Sequence, residues 1–212
     1  MARSKLEYWS HSSKTYDTSV DKALGDNIRP LINEKLSKEG YFGKVVEFGC
    51  GTGYFTKTLA SKAESVIATD FSDDMLVIAR AELDGWDNVQ FQNADWQNTS
   101  FADETFDTIF SGFVIPCVTD KVRAMKESYR ILKPQGKLII ANPNLMLLTG
   151  MNKLRFLFRN IGAWRGKLPP VSFRSVTDLV EAAGFSVVSW EVVKDPANVS
   201  SMPVEYVRLI KS

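Results

Sequence analysis

The sequence predicts an α/β fold: a doubly wound, mostly parallel seven-stranded sheet with helices on both faces and an antiparallel C-terminal strand. Three observations carry this expectation. Short apolar runs alternate with stretches whose apolar residues recur at helical spacing. A glycine-rich stretch, GCGTG at 49–53, sits where the first strand of such a sheet would turn into its helix. Two final strand-like runs are separated by a short loop, which makes them antiparallel partners.

The elements follow in order. Val20, Ala23, Leu24, Ile28, Leu31, Ile32 and Leu36 form one helical pattern, in which Pro30 predicts a kink or a break. Lys44–Phe48 reads as a short buried strand, and Phe55, Leu59, Ala60 and Ala63 as a helical face behind the glycines. Ser65–Asp70 is the second strand. Ser72 is then an N-cap, with Asp73 and Asp74 in the first turn of a helix running to about Leu83. Val89–Gln92 and Phe106–Ser111 are strands three and four. Val118, Val122, Met125, Tyr129 and Leu132 stripe the next helix, which Pro134 stops, and Lys137–Ala141 is strand five. Val176, Leu179, Val180 and Ala183 mark a helix ended by Gly184, before the last strands Phe185–Val193 and Val204–Ile210. Such alternation implies a mostly parallel sheet covered on both faces.

The length of 212 residues and a hydrophobic content of 44% fit one domain, 1–212, with a sizeable core. Cys50 lies in the glycine loop and Cys117 follows a proline, so a disulfide framework is not expected, and a reducing cytoplasm is. The first residues have no signal-peptide core, and no run of about 18 apolar residues offers a membrane span. The net charge of +1 hides an asymmetry. Residues 64–127 hold 13 acidic against 4 basic residues, whereas 128–177 hold 9 basic residues and no acid.

In a doubly wound sheet, ligands bind outside the carboxyl ends of the strands, where the strand order reverses. Glycines there let the backbone approach a ligand closely. A dinucleotide fingerprint would read G-x-G-x-x-G; Gly49 and Gly51 fit it, but the third position is Tyr54. The acid at Glu47 would repel a pyrophosphate and suit a cationic ligand. S-adenosylmethionine carries a sulfonium and an ammonium group.

At this point the chain resembles the class I S-adenosylmethionine-dependent methyltransferases, and in particular the small single-domain branch that includes ubiquinone and menaquinone biosynthesis enzymes. The resemblance covers roughly residues 16–193. VVEFGCGTG looks like the family's first motif and VIATDFSDDMLVIAR like its second. NADWQNTSFADETFDTIFS resembles the adenine-side segment and strand four, ESYRILKPQGKLIIANP the following helix-turn-strand, and LVEAAGFSVV the last helix and strand. The fold so implied is the Rossmann-like methyltransferase fold.

Physical roles stand beside the resemblance. Asp70 ends strand two with two acceptors suited to both ribose hydroxyls. Phe71 would cover one face of adenine and Asp95 would accept from its exocyclic amine. Trp96 either supplies a backbone contact or is core. Glu47 would sit near the methionine moiety, with Gly49, Gly51 and Gly53 along its backbone, and Ser111 close to the sulfonium. Asp73 and Asp74 read as helix-terminus charges rather than ligands.

The acceptor side is less legible. Methyl transfer is an in-line displacement, accelerated mainly by holding the nucleophile near the methyl group in a dry site. His11, the only histidine, is a candidate base or a solvated residue. Tyr16 resembles the tyrosine such enzymes bring over the cofactor from an N-terminal segment, here residues 1–20 as a lid. Cys117 reads as a small core residue rather than a nucleophile, and one His with two separated Cys makes no metal set. An insertion at 144–172, between strands five and six, forms a cap. Leu145, Leu148, Met151, Leu154, Leu157 and Ile161 recur at spacings of three and four, with Lys153, Arg155, Arg159, Arg165 and Lys167 as a basic remainder. Three readings stay open for 145–167: a helix with a solvated cationic face, a cap on the acceptor pocket, or peripheral membrane or lipid contact. Nucleic acid is not expected. The sequence thus points to a methyltransferase acting on a small, partly apolar molecule. The alternatives are a peptide or protein side chain as acceptor, a non-catalytic S-adenosylmethionine-binding module, and a nucleotide-linked oxidoreductase.

Overall fold

The computed structural model describes residues 16–164, 176–180 and 183–212. Seven strands make one sheet in the order β3-β2-β1-β4-β5-β7-β6. They are β1 Gly43–Phe48, β2 Ala63–Asp70, β3 Val89–Asn93, β4 Phe106–Gly112, β5 Leu132–Pro143, β6 Phe185–Val193 and β7 Val204–Lys211. The first five pair in parallel, while β7 inserts antiparallel between β5 and β6. From β1 the chain winds outward to β2 and β3, then returns to place β4 on the other side of β1. The strand order therefore reverses between β1 and β4, which opens a crevice at their carboxyl ends.

The side-chain alternation of the strands feeds two cores. Val45, Phe110 and Ile139 point into one, and Val46, Ile109 and Ile140 into the other. The first core is closed by α1 Tyr16–Leu24, α2 Ile28–Ser37, α3 Thr56–Ala60 and α4 Asp73–Glu82, through Leu24, Ile32, Leu59 and Leu76. The second is closed by α5 Lys121–Ile131 and the short α7 Thr177–Val180, through Met125, Ile131 and Val180. Each fully buried aliphatic side chain contributes about 1.5–3 kcal/mol. Both faces of the sheet are thus covered, as parallel strands require.

The expected elements appear with shifted ends. The break near Pro30 falls earlier, at Gly25, whose φ of +113° ends α1. Pro30 is then the third residue of α2, within the first turn, where a missing N–H costs nothing. Ser72 caps α4, its hydroxyl accepting from the Met75 amide, and Asp120 caps α5 through the Arg123 amide. Helix α5 ends at Ile131, ahead of Pro134, because the residue before a proline is driven to extended geometry; Pro134 itself lies in β5. The segment after β5 holds a 3₁₀ turn, Leu145–Leu147, and a helix, α6 Gly150–Trp164. The remainder of the expected cap, 165–172, lies outside the described residues, as do positions 1–15 of the expected lid. No helix among the described residues is long and apolar enough to cross a membrane.

Candidate functional site

The site begins with what β1 does to the chain that follows. Val45 to Phe48 are buried between two neighbouring strands, so the chain leaves the sheet abruptly at Gly49. Gly49 has φ +72° and Gly51 φ +55°, left-handed values that side chains rarely adopt. A Cβ on Gly49 would stand 2.1 Å from Val114 Cγ2, so the loop also lies too close to its neighbour for any side chain there.

A cavity of about 270 Å³ opens beside this loop. Its walls are the segments that leave the carboxyl ends of β1 to β4, with Met75 of α4 closing one side. Phe48, Gly49 and Gly51 come from the first segment, Asp70 and Phe71 from the second, Ala94 to Gln97 from the third, and Phe113 to Thr119 from the fourth. Asp70 is fixed at the floor. Its Oδ2 accepts from the Gly51 amide and its Oδ1 from the Ser72 amide, both at 2.9 Å. Burial pushes its carboxyl above the usual range, against the pull of those amides. The Phe71 amide adds to that pull. Asp95 lies exposed at the rim, holding Gln97 through both its backbone and side-chain nitrogens. Trp96 is core in its ring: it stacks on Phe48 at 5.1 Å between centroids and 9° between planes, and its Nε1 donates to Ser128 Oγ at 2.8 Å.

The structure thus brings Gly49, Gly51, Asp70, Phe71, Asp95 and Trp96 to one cavity. The other expected residues stand elsewhere. Glu47 is sealed beneath the loop, where its Oε2 accepts from Thr56 Oγ1 at 2.6 Å. Burial pushes its carboxyl up to about 8, the nearby Asp70 adds to the rise, and the Thr56 hydroxyl opposes it. Ser111 is fully buried, and its hydroxyl has no partner among the described residues. Gly53 lines a second hollow, of about 380 Å³, on the far side of the loop with Asp17, Thr52, Tyr54 and Lys57. Tyr16 begins α1, and His11 lies outside the described residues.

Two features were not read from the sequence. The wall after β4 starts at Phe113, a non-glycine residue at φ +66° whose amide donates to the Ala141 carbonyl at 2.7 Å. It continues through the 3₁₀ turn Ile115–Cys117. The sequence reading takes only Ser111 from the end of strand four, whereas the wall is built by the residues that follow it, as the opening of strand ends on the crevice requires. The second is a clasp. Arg29, almost fully buried, donates to Asp21 at 2.6 Å through both Nε and Nη2, donates to Asp17, and lies 4.4 Å from the centre of the Tyr54 ring. Asp17 also accepts from Thr52 Oγ1 at 3.1 Å, so α1 is tied to the glycine loop. The signal was present in the spacing of Asp17 and Asp21, four residues apart on one helix face.

These residues fit S-adenosylmethionine. A half-buried carboxylate at the end of β2 suits a ribose diol. The apolar walls of Phe71, Met75 and Val118 suit a ring, and the rim acceptor Asp95 suits an exocyclic amine. No group of three or more potential metal ligands occurs among the described residues.

Comparison with known proteins agrees with this geometry. Residues 46–140 match the model of a methyltransferase domain. The demethylmenaquinone methyltransferase of Clavibacter sepedonicus is 27% identical over 168 residues, covering 68% of this chain and 66% of that protein. The enzyme of the same name from Bacillus licheniformis is 33% identical over 138 residues, covering 63% of this chain and 60% of that protein. The chain thus spans no more than about two thirds of these relatives' lengths. In fold, it is similar to a methyltransferase from Haloferax volcanii solved with the activator Trm112, with a TM-score of 0.72 at 18% identity, covering 94% of this chain and 96% of that one. The reversal of strand order, the bare loop over Asp70 and the matched stretch coincide: every residue that lines the cavity lies within 46–140, the stretch that matches a methyltransferase domain.

Proposed function

We propose that the chain is an enzyme that transfers a methyl group from S-adenosylmethionine to a small, partly apolar molecule. The observation that carries the reading is the convergence of four strand ends on one cavity whose floor is Asp70. Bound S-adenosylmethionine supplies an electrophilic methyl group. The chain supplies the rest. Asp70 accepts from the ribose hydroxyls while its two amide bonds keep the carboxylate from turning. Phe71 and Val118 exclude water from the adenine, and Asp95 accepts from its amine. Gly49 and Gly51 leave room for the methionine portion. Glu47 and Ser111, behind this wall, tune and support it.

On the acceptor side, Tyr16 and His11 belong to a lid over residues 1–20, and 144–172 to a cap. The relatives' names make a quinone-like ring the first acceptor class to test. Such a molecule partitions into lipid and offers a carbon nucleophile that needs a base. The thiol that Cys50 keeps in the glycine loop suits a reducing, cytoplasmic setting.

Calorimetric titration with S-adenosylhomocysteine, S-adenosylmethionine and NAD, beside Asp70→Ala, tests the cofactor. Binding of the first two, lost in the variant, is expected; binding of NAD alone would overturn the reading. Labelled methyl transfer into cell extract tests the acceptor. Label in the small-molecule filtrate is expected. A labelled protein band would move the acceptor to a side chain, and binding without any S-adenosylhomocysteine produced would leave a non-catalytic module.

A further inference from the structure

Helix α6 is seated by one side and open on the other. Phe156 is 2% exposed and joins the first core, together with Leu148 from the turn before the helix. Met151, Leu154 and Phe158 are 64%, 47% and 64% exposed. At 3.6 residues per turn these three fall within about 60° of one another, roughly opposite Phe156. Met146, in the preceding 3₁₀ turn, is likewise exposed. Met151 and Leu154 belong to the apolar stripe that the sequence suggested would face inward. Phe156 takes the inward position instead and joins the core cluster that also holds Tyr206 and Val193.

Three large apolar side chains held outward in a row are costly in water and mark a contact surface. Charge decides what it contacts. Helix α6 carries Lys153, Arg155 and Arg159 and no acidic residue, and Arg155 is exposed beside the stripe. A protein partner's apolar groove would need no such one-sided charge, whereas the surface of an anionic bilayer selects for both features together. The helix also leaves the carboxyl end of β5, the same edge of the sheet that holds the cavity.

We propose that α6 is an interfacial membrane-binding helix, which inserts Met151, Leu154 and Phe158 among acyl chains at an anionic lipid surface with Arg155 at the headgroups. The inference deepens the reading of a partly apolar acceptor, and rests on it only for its biological purpose.

Sedimentation with vesicles tests it. The full chain should bind vesicles of phosphatidylcholine mixed with phosphatidylglycerol, release in high salt, and bind vesicles of phosphatidylcholine alone about tenfold or more weakly. Leu154→Asp with Phe158→Asp should lose vesicle binding by a similar factor. Arg155→Glu should lose less, through the charge alone. All three positions are exposed, and thermal unfolding of each variant should match that of the parent. Equal vesicle binding by parent and double variant would overturn the proposal, as would no binding to either vesicle. A parent dimer that the double variant makes monomeric would overturn it too, since the stripe would then cover a second copy. S-adenosylhomocysteine affinity, measured in the same variants without vesicles, should not change. A fall would assign α6 to the cofactor site instead. A parent that binds vesicles but no S-adenosylhomocysteine would sink the methyl-transfer reading and leave the helix proposal standing.

Discussion

The cavity floor and helix α6 use polar and apolar groups in opposite ways. Around the floor, charged groups are shielded from water and each is tied to a neighbour: Asp70 to two amides, Glu47 beneath the loop to Thr56, and, on the far side of the loop, Arg29 to Asp17 and Asp21. On α6, apolar groups are exposed and basic ones stand beside them. A fold left to minimise its own free energy would do neither. Each departure costs stability in the free chain and is recovered only when something is bound. The floor therefore reads as shaped by a small ligand and the helix as shaped by an extended surface.

That contrast can be broken at several points. The largest effect should come from Glu47. Its carboxyl is near 8 in the folded chain, against 4.5 for an ordinary glutamate, so the folded state holds a proton that the unfolded state has lost. Stability from this group is therefore full at low pH and declines as pH rises between those two values, by up to about 1.4 kcal/mol per pH unit. Glu47→Gln should remove that slope in urea titrations across the window; an unchanged slope would show the carboxyl to be ionised where it lies.

Gly49→Ala comes next. Positive φ and the contact with Val114 together should cost about 2–4 kcal/mol of unfolding free energy, with loss of cofactor binding. Asp70→Ala should weaken S-adenosylhomocysteine by about 1–3 kcal/mol, the scale for a buried hydrogen-bonding partner. Thr52→Val removes one bond to α1, and should cost about 0.5–1.5 kcal/mol in stability while making the chain's first helix easier for a protease to reach. Arg155→Glu stands at the other extreme, within about 0.5 kcal/mol of the parent. If it destabilised the chain as much as Thr52→Val, the two regions would not differ in the way described.

The parts of the molecule that the sequence made legible are those governed by local rules. β1 was bounded by its apolar run and glycines, α4 by Ser72 and two first-turn acids, and β6 by its apolar run between Gly184 and a polar loop. Six expected site residues share the cavity because each follows a strand end, and topology alone brings strand ends together. What escaped was set by tertiary packing. Nothing local tells Glu47, an acid one residue before Phe48, that its carboxyl will be enclosed by α3. The inward-facing side of α6 is decided by tertiary packing, which seats Phe156 in the first core, and a spacing of three and four among its neighbours does not reveal it. Arg29 looked like any solvated arginine until α1 folded back over it.

The stack of Trp96 on Phe48 has an optical consequence. Its indole lies in the wall of the cavity, parallel to a phenyl ring, with its nitrogen pinned to Ser128. A ring held in one orientation and one dielectric has a defined emission, and a ligand that changes the polarity of the adjoining cavity should shift it. The chain therefore carries its own fluorophore at the cofactor's door. With the other tryptophans replaced, occupancy could be followed in real time, without a label and before any methyl acceptor is known.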